Sequence, residues 1–242
     1  GSVYPEPLNS LDTAGVGFMQ RVSARETLLG LKTVRQLGGM PFVPLRLHTV
    51  PAHKVRLKRI FDLTIVLLLA PVWIAMLAML ALYVRIRAGG PVLYRQTRVG
   101  RDGVPFECVK FRTMNRDAEA DGRARLASLD DDRIVPALAW MRAMRADELP
   151  QLFNVFRGDM SLVGPRPERP ELVAEITIRV PGYVRRNELP PGLTGLAQVN
   201  GRYRTDAEYK LGYDLQYLVN WSLVLDAQIL FRTVWVVLSR RV

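Results

Sequence analysis

An acidic pair set among arginines is the part of this 242-residue sequence with the clearest chemical potential. Asp147 and Glu148 follow Arg142 and Arg145 and precede Arg166. A carboxylate can attack phosphorus once the charge of the phosphate is neutralised, and arginines or a divalent cation can neutralise it. Mg2+ commonly takes one or two carboxylates together with the phosphates of a substrate. The pattern therefore indicates phosphoryl transfer without a metal-bound imidazole.

A structural explanation accounts for the same residues. Aspartate is a good N-cap, and Pro150 suits the first turn of a helix, so the acidic pair would serve only to begin a helix. Arginines, for their part, commonly form salt bridges at the protein surface. On this explanation the segment has a structural role and takes no part in catalysis.

Two loops further along the chain are candidate phosphate-binding segments. In the first, Pro165 and Pro167 restrict the backbone on both sides of Arg166. A rigidly held guanidinium suits bidentate phosphate recognition, whereas the alternative is a structural turn with an exposed arginine. In the second loop, residues 191–201, glycines would let the backbone approach a phosphate or a nucleobase closely.

The composition narrows the class of protein. A formal net charge of +11 indicates an anionic partner such as nucleic acid, acidic lipid headgroups or a phosphorylated substrate. Cys108 is the single cysteine, which excludes a disulfide framework and a cysteine-rich zinc site. The two histidines, His48 and His53, lie in one N-terminal stretch. Acid–base catalysis by histidine and zinc chemistry are therefore not expected.

A long apolar segment precedes the acidic pair. Residues 63–84 carry no charge, and about 20 apolar residues are enough to cross the hydrocarbon core of a bilayer. Residues 1–59 contain nine Lys and Arg against three Asp and Glu, and residues 85–116 contain eight against two. Because basic flanks stay cytoplasmic and Pro71 interrupts helical hydrogen bonding, we predict a helix that breaks at Pro71 and returns. A kinked single crossing and a buried core helix are the alternatives.

The rest of the chain is predicted to be α+β and mostly helical. Residues 40–47 are predicted to form an edge strand because they contain prolines. Short strands at 91–95 and 104–111 flank a turn at 100–103. We predict helices at 134–145, 149–156 and 171–180, and loops at 158–170 and 181–204.

Two amphipathic segments lie at the C-terminal end of the sequence. Residues 206–220 place Tyr209, Tyr213 and Tyr217 along one helix face. Residues 221–238 are apolar apart from a few polar positions such as Asp226. A helix pair in the core of a soluble protein would explain both segments. Because Tyr and Trp favour membrane interfaces and an apolar segment is present, we expect interfacial helices.

From Lys58 to the C-terminus, the sequence resembles the monotopic phosphoglycosyl transferases, also called the bacterial sugar transferase family. The matching motifs occur in the order and spacing of the family. They are residues 58–62 (KRIFD), 110–114 (KFRTM), 147–155 (DELPQLFNV), 158–167 (GDMSLVGPRP), 191–195 (PGLTG) and 197–201 (AQVNG).

The resemblance implies a re-entrant membrane helix, a cytoplasmic catalytic domain, Mg2+ and a two-step reaction through a covalent aspartyl-phosphosugar. By position, Asp147 would be the nucleophile and an Mg2+ ligand, and Glu148 its catalytic partner. Arg142 and Arg166 would contact phosphate groups. The matching motifs contain the remaining candidate substrate-binding residues, which are Lys110, Arg112, Pro165, Pro167 and Gln198.

The resemblance also divides the chain into three parts. Residues 1–57 would be an N-terminal extension or linker, which could be the remnant of a larger N-terminal region. Residues 58–88 would form the re-entrant membrane helix broken at Pro71. Residues 89–242 would form a small cytoplasmic catalytic domain with interfacial amphipathic helices.

The function implied by the resemblance is transfer of a sugar-1-phosphate from a nucleotide diphosphosugar, such as a UDP-hexose, to undecaprenyl phosphate. The reaction would take place at the cytoplasmic face of a bacterial inner membrane and would initiate exopolysaccharide, capsule or O-antigen assembly. Expected partners are the two substrates, an anionic phospholipid bilayer and, as one option, a second copy in a homodimer, but no nucleic acid. A non-catalytic, basic, membrane-anchored scaffold is the alternative, and it leaves the acidic pair no role beyond capping.

Overall fold

The computed structural model of the chain describes residues 18–21, 35–37, 40–45, 51–116, 118, 131–180, 182–200 and 206–239. Helices predominate in these residues, and the strands form three small sheets. The prediction of a mostly helical α+β fold is therefore confirmed.

The first sheet contains β1 (Phe18–Arg21), β2 (Arg35–Leu37) and β3 (Met40–Leu45), which pair antiparallel in the order β1-β3-β2. Because β3 is the central strand, the prediction of an edge strand for this segment is wrong. Pro41 lies opposite only β2, and Pro44 lies opposite only β1. Each missing N–H can therefore point away from the paired strand, which makes proline tolerable here.

The apolar segment folds as two helices, α1 (Ala52–Leu68) and α2 (Ala70–Ala88), which meet at Leu69. Pro71 lies in the first turn of α2, where its missing N–H is tolerated. The indole Nε1 of Trp73 donates a hydrogen bond of 2.8 Å to the carbonyl oxygen of Val66. A side chain thus satisfies a carbonyl beside the break. The predicted helix break is confirmed and lies just before Pro71.

The second helix of this pair, α2, is long and apolar enough to cross a membrane, judged by length and composition alone. One face of α2 is buried against the protein, and its residues recur every three or four positions: Trp73, Leu77, Leu80 and Val84. The opposite surface is exposed and apolar, and includes Val72, Ile74, Met79, Leu82 and Ile86. This helix therefore has protein on one side and an apolar exposed surface on the other.

An antiparallel hairpin follows α2. It consists of β4 (Leu93–Val99) and β5 (Pro105–Phe111), with Gln96 opposite Cys108 and a 3-10 turn at Arg101–Gly103. The two predicted strands and the turn between them are confirmed, although β4 extends beyond residue 95.

Three short helices lie in the middle of the chain: α3 (Ala139–Ala143), α4 (Gln151–Arg157) and α5 (Pro170–Arg179). The helix predicted at 134–145 is wrong in length. A 3-10 turn, Pro136–Leu138, precedes α3, and Val135 before it is extended, with a ψ of 117°, because a residue that precedes proline is disfavoured in the helical region. Helices α4 and α5 lie where the sequence predicts them.

Regular structure occurs within both predicted loops. Strands β6 (Ser161–Val163) and β7 (Gly192–Thr194) pair in parallel, and helix α6 (Leu196–Asn200) follows β7. A Cβ atom at Gly192 would lie 2.0 Å from the backbone nitrogen of Gly164. At this position the predicted close approach is therefore to the chain itself and not to a phosphate or nucleobase.

The last two helices are α7 (Ala207–Asn220) and α8 (Leu223–Leu238), as predicted to within a few residues. Tyr217 is buried, whereas Tyr209 is exposed. The tyrosines of α7 therefore do not face an interface as one row, and Tyr217 belongs to the core. The exposed apolar residues of α8 include Val224, Phe231, Val234 and Trp235.

One apolar core joins the helix pair to the elements after it. Leu80 and Val84 of α2 belong to the same buried cluster as Phe111, Val155 and Leu218. The segment from α1 to α2 is thus packed as an integral part of the fold.

A buried polar network, the anchor cluster, ties α1 to β6 and α8. It consists of Lys58, Asp62, Ser161, Tyr217, Trp221 and Asp226. The carboxylate of Asp226 is completely buried and pairs with Lys58 Nζ at 2.7 Å. It also accepts hydrogen bonds from the hydroxyl of Tyr217 at 2.6 Å and from Nε1 of Trp221 at 3.2 Å.

The second carboxylate of the anchor cluster is equally well satisfied. Asp62 accepts a hydrogen bond of 2.7 Å from the hydroxyl of Ser161 and one of 3.3 Å from the backbone N–H of Leu162. Next to it in α1, Arg59 Nη2 donates to the carbonyl oxygen of Phe156 at the end of α4. The polar residues at 58–62 therefore dock α1 onto the rest of the protein.

Candidate active site

The acidic pair lies in a 3-10 turn, Ala146–Glu148, between α3 and α4. The side chains are almost inaccessible, with 8% of Asp147 and 7% of Glu148 exposed. Arg145, directly before the turn, has a φ of 54° and a ψ of 22°. A non-glycine residue in this left-handed region costs about 1 kcal/mol or more, and such residues cluster at functional sites. The backbone therefore accepts strain to place the pair.

Neither carboxylate caps a helix. The N-cap of α4 is Pro150, and the N-cap of the 3-10 turn is Arg145, with no capping side-chain hydrogen bond at either. The capping explanation of the acidic pair, which the sequence leaves open, therefore does not apply.

Glu148 is held by three cations. Its Oε1 lies 2.9 Å from Lys110 Nζ and 2.9 Å from Arg166 Nη2, and its Oε2 lies 3.6 Å from Arg145 Nη1. Burial by itself would raise the pKa of Glu148, but Arg166, Lys110 and Arg145 outweigh burial and hold the pKa well below its usual range. Glu148 is therefore ionised at neutral pH and orients the cations around it.

Asp147 has the opposite environment. No side chain among the described residues donates a hydrogen bond to its carboxylate. Burial, and then the charge of Glu148, raise the pKa of Asp147 to about 6, while Lys110, Arg142 and Arg166 act in the other direction. A carboxylate that ionises near neutral pH without a partner is suited to react as a nucleophile.

The cations reach this site from separate elements. Arg142 lies on α3, and its Nη1 donates to the hydroxyl of Thr113 at 3.4 Å. Lys110 lies on β5, which is fixed to α4 by Asn154: the Asn154 side chain accepts from the N–H of Val109 and donates to a β5 carbonyl oxygen. The structure thus brings together Asp147, Glu148, Lys110, Arg142 and Arg166, as the sequence predicts.

The loop that carries Arg166 is fixed by hydrogen bonds to successive carbonyl oxygens. Gly192 N–H donates to Pro165, Arg186 Nη2 to Arg166, and Arg98 Nη1 to Pro167, at 2.9, 3.0 and 3.1 Å. The predicted rigidity of this loop therefore depends on these donors as well as on the proline rings.

Arg186 is itself held in place. Its guanidinium is buried, forms an ion pair of 2.8 Å with Asp214, and donates to the hydroxyl of Tyr183. Arg186 is thus a rigid support behind Arg166, and its position far along the chain carried no sequence signal.

Two predicted substrate-binding residues lie in other surroundings. Arg112 donates from Nε, Nη1 and Nη2 to carbonyl oxygens, which belong to Pro91, Met114, Ala88 and Gly89. The Arg112 guanidinium thereby closes the end of α2. Gln198, on α6, donates from Nε2 to the carbonyl oxygen of Leu193 at 3.3 Å, and its own side-chain oxygen is buried without a donor among the described residues.

A divalent cation could be held at this site by one carboxylate together with the phosphates of a substrate. The described residues contain no group of three or more His, Cys, Asp or Glu side chains that could hold a metal. Glu148 is occupied by Lys110 and Arg166, which leaves Asp147 as the available carboxylate. A single carboxylate completed by substrate phosphates is a common arrangement for Mg2+. The donor set therefore fits Mg2+ bound together with a phosphorylated substrate.

Comparison with known proteins gives a consistent result. The sequence model of the family described as bacterial sugar transferase matches residues 53–240. A relative in Caulobacter vibrioides named UDP-glucose:undecaprenyl-phosphate glucose-1-phosphate transferase is 39% identical over 209 residues, which cover 84% of this chain and 74% of the relative. A protein of the same name in Klebsiella pneumoniae is 37% identical over 205 residues, which cover 83% of this chain.

The relatives differ in length. The match covers 44% of the Klebsiella protein but 96% of the exopolysaccharide production protein ExoY of Rhizobium meliloti, which is 34% identical over 223 residues. The chain thus spans less than half of some relatives and nearly all of others.

Proposed function

The chain belongs to the bacterial sugar transferase family, and from this membership we propose that it is an enzyme that transfers a sugar-1-phosphate from a UDP-sugar to undecaprenyl phosphate. The names of the Caulobacter and Klebsiella relatives support both substrate classes, and they make UDP-glucose the first donor to test. The name of the Rhizobium relative supports a role in exopolysaccharide synthesis.

The observation that carries this proposal is the contrast within the acidic pair. Glu148 is neutralised by Lys110, Arg145 and Arg166. Asp147 lies near Lys110, Arg142 and Arg166 but has no hydrogen-bond donor among the described residues. A buried carboxylate without a partner costs stability, so its presence here indicates a reaction.

In the first step, a carboxylate oxygen of Asp147 attacks the β-phosphorus of the nucleotide diphosphosugar. A phosphorus–oxygen bond to Asp147 forms while the bond to the bridging oxygen breaks, and uridine monophosphate leaves with the electron pair. Arg142 and Arg166 offset the charge on the phosphate oxygens. Glu148 keeps Arg166 and Lys110 in position, as their 2.9 Å contacts indicate.

In the second step, an oxygen of undecaprenyl phosphate attacks the same phosphorus. The bond to Asp147 breaks, the carboxylate is regenerated, and undecaprenyl diphosphosugar is released. Dividing the transfer in this way lets a soluble donor and a lipid acceptor use one site in turn.

The cofactor we propose is Mg2+, held by Asp147 and the phosphates of the donor. When bound, it supplies additional charge neutralisation, which the approach of a carboxylate to a diphosphate requires. The remaining work is done by the protein: the cations bind and orient phosphate, and the buried position of Asp147 limits access of water to the acyl phosphate.

We further propose that α1 and α2 form a re-entrant hairpin in the cytoplasmic leaflet of the bacterial inner membrane, with the catalytic elements on the cytoplasmic face. The break at Leu69, the exposed apolar surface of α2 and the two basic flanks support this topology. The test is labelling of Lys54→Cys and Arg95→Cys, both exposed and on opposite flanks. We expect both cysteines to be labelled only from the cytoplasm; labelling of one from the periplasm would indicate a crossing helix.

The catalytic proposal is tested by incubating purified protein with UDP-glucose, Mg2+ and undecaprenyl phosphate and measuring release of uridine monophosphate. Without the acceptor, intact-protein mass spectrometry should find a hexose-phosphate adduct on Asp147. The scaffold alternative predicts neither product nor adduct with any UDP-sugar in a panel. That alternative also gives no reason for the environment of Asp147.

A further inference from the structure

A small cavity lies beside two of the cations that hold Glu148. It is lined by Arg98, Cys108, Lys110, Gln151, Arg166 and Pro167. Two of these residues, Lys110 and Arg166, are the cations that hold Glu148. The cavity has a volume of about 10 Å³, which is room for roughly one water-sized atom.

Two buried N–H donors at this cavity have no acceptor among the described residues. They are Nε2 of Gln151, a residue that is only 3% exposed, and Nε of Arg98. A buried donor without a partner costs on the order of 1–3 kcal/mol, and such groups are rare in folded proteins. Their occurrence on one cavity, which Lys110 and Arg166 also line, indicates a missing acceptor.

The charge of the cavity wall specifies what this acceptor is. Arg98, Lys110 and Arg166 contribute three cations, and two carboxylates pair with them, Glu168 with Arg98 at 3.8 Å and Glu148 with the other two at 2.9 Å. Cys108 adds no negative charge, because burial raises the pKa of its thiol. A neutral acceptor such as water could fill the space but would leave the three cations opposed by only the two carboxylates that pair with them. An anionic oxygen satisfies both the donors and the charge.

We propose that the cavity binds a non-bridging phosphoryl oxygen of a substrate, with the Gln151 side-chain amide and the Arg98 Nε–H as its donors. This inference rests on the proposed function. It makes Gln151 a substrate-binding residue of the site. A phosphoryl oxygen is present in both the UDP-sugar and the lipid phosphate, and either of them is a possible source.

The test is the variant Gln151→Met, which keeps the length of the side chain but removes the donor. We expect the KM for one substrate to rise about 10- to 100-fold, the usual effect of losing a hydrogen bond to a charged group. A rise for UDP-glucose assigns the oxygen to the donor, and a rise for undecaprenyl phosphate assigns it to the acceptor. The matched control is Gln216→Met, on the exposed side of α7, which should leave both KM values unchanged.

A second variant separates an effect on substrate binding from an effect on folding. Gln151→Glu has the same shape and can pair with Lys110, yet its carboxylate repels a phosphate, so we expect a larger rise in KM than for Gln151→Met. The Tm of Gln151→Met should be at least as high as that of the wild type, because the variant removes an unpaired donor. A merely structural role predicts a lower Tm instead.

The inference is overturned if both variants keep both KM values within about twofold of the wild type. Failure of the proposed function would look different, because the wild type itself would then release no uridine monophosphate from any UDP-sugar. Titration of UDP into the Asp147→Asn variant, with and without Gln151→Met, provides a binding measurement for the donor arm that does not depend on turnover.

Discussion

Two buried clusters of charged side chains in the described part of the protein, the anchor cluster and the acidic pair, are built in opposite ways. In the anchor cluster each carboxylate has donors: Asp226 has Lys58, Tyr217 and Trp221, and Asp62 has a hydroxyl and a backbone N–H. In the acidic pair Glu148 has three ion-pair partners, whereas Asp147 has no hydrogen-bond donor among the residues that the structure describes.

This difference separates a structural cluster from a reactive one. Removing a partner from a satisfied buried ion pair leaves an uncompensated charge and costs stability. At the acidic pair, the four cations Lys110, Arg142, Arg145 and Arg166 outnumber the two carboxylates, so the site has a positive surplus. Such a surplus suits an anionic ligand. Burial of charge therefore identifies both regions, but only the distribution of partners distinguishes their roles.

The largest effects are expected when one aspartate in each cluster is replaced by asparagine, which removes one negative charge from the acidic pair or from the anchor cluster. Asp147→Asn should abolish turnover and covalent labelling but keep the fold, because no described residue depends on this carboxylate for a hydrogen bond. Asp226→Asn should lower the free energy of unfolding by about 3–5 kcal/mol, because Lys58 loses its counter-charge. Assays of uridine monophosphate release and chemical denaturation of both variants test this contrast. Normal turnover of Asp147→Asn would falsify the nucleophile assignment.

The next effect concerns the shape of the cation at position 166. Arg166→Lys keeps the charge but loses the planar fork, so a single ammonium would have to serve both Glu148 and a phosphate. We expect kcat/KM to fall about 10- to 100-fold. The matched control is Arg179→Lys, an exposed ion-pair residue of α5, which should be close to wild type. Wild-type kinetics for Arg166→Lys would exclude a bidentate role.

A pH dependence follows from the raised pKa of Asp147. Since the attacking group must be ionised, kcat/KM for the UDP-sugar should rise through about pH 6 and be about tenfold lower one unit below that value. The carboxyl is neutral in the folded protein up to about pH 6 but ionises at about 3.8 when unfolded. Its contribution to stability is therefore fully present below 3.8 and is lost as the pH rises through about 6.

The stability of the folded protein provides a second measurement of this pKa. A rise in the pKa of Asp147 from 3.8 to about 6 corresponds to a loss of about 3 kcal/mol in the free energy of unfolding at high pH. Asp147→Asn should be more stable than the wild type at pH 8, and the advantage should shrink towards pH 4. Melting curves of both proteins without Mg2+ measure it. An advantage that does not change with pH would contradict the assigned pKa.

The smallest effect is expected in the anchor cluster. Tyr217→Phe removes one of three donors to Asp226 and leaves Lys58 and Trp221 in place. The free energy of unfolding should fall by about 1–2 kcal/mol, with kcat and both KM values unchanged. A clear loss of activity in a stable Tyr217→Phe protein would show that the two clusters are coupled.

Much of the local structure followed from residue patterns. The break before Pro71, the hairpin around residues 100–103 and the last two helices were all predicted from proline, turn residues and periodicity. The members of the acidic pair and their arginines were predicted from charge spacing and from the family motifs. These features depend on interactions between residues close in sequence, or on chemistry that residue types express directly.

Long-range pairing accounts for what the patterns missed. Strands β6 and β7 pair with one another and have three residues each, so neither carries a periodic signal long enough to recognise. Arg186 and Arg98 were not selected because nothing near them in sequence shows that they hold the carbonyl oxygens of residues 166 and 167. The motif that contains Arg112 predicted a substrate-binding role, but the Arg112 guanidinium donates its hydrogen bonds to backbone carbonyl oxygens.

The sequence by itself determined which residues carry charge, where helices begin and break, and that a carboxylate pair lies among cations. Only the tertiary structure decided that Glu148 has ion-pair partners while Asp147 has none among the described residues, and that Lys58 and Asp226 pair across the fold. The physical reason is that pKa values and hydrogen-bond partners depend on burial and on distances of a few ångströms between residues from separate elements. Those distances are set when α1, β5, α4 and α8 pack together, and no spacing along the chain encodes them.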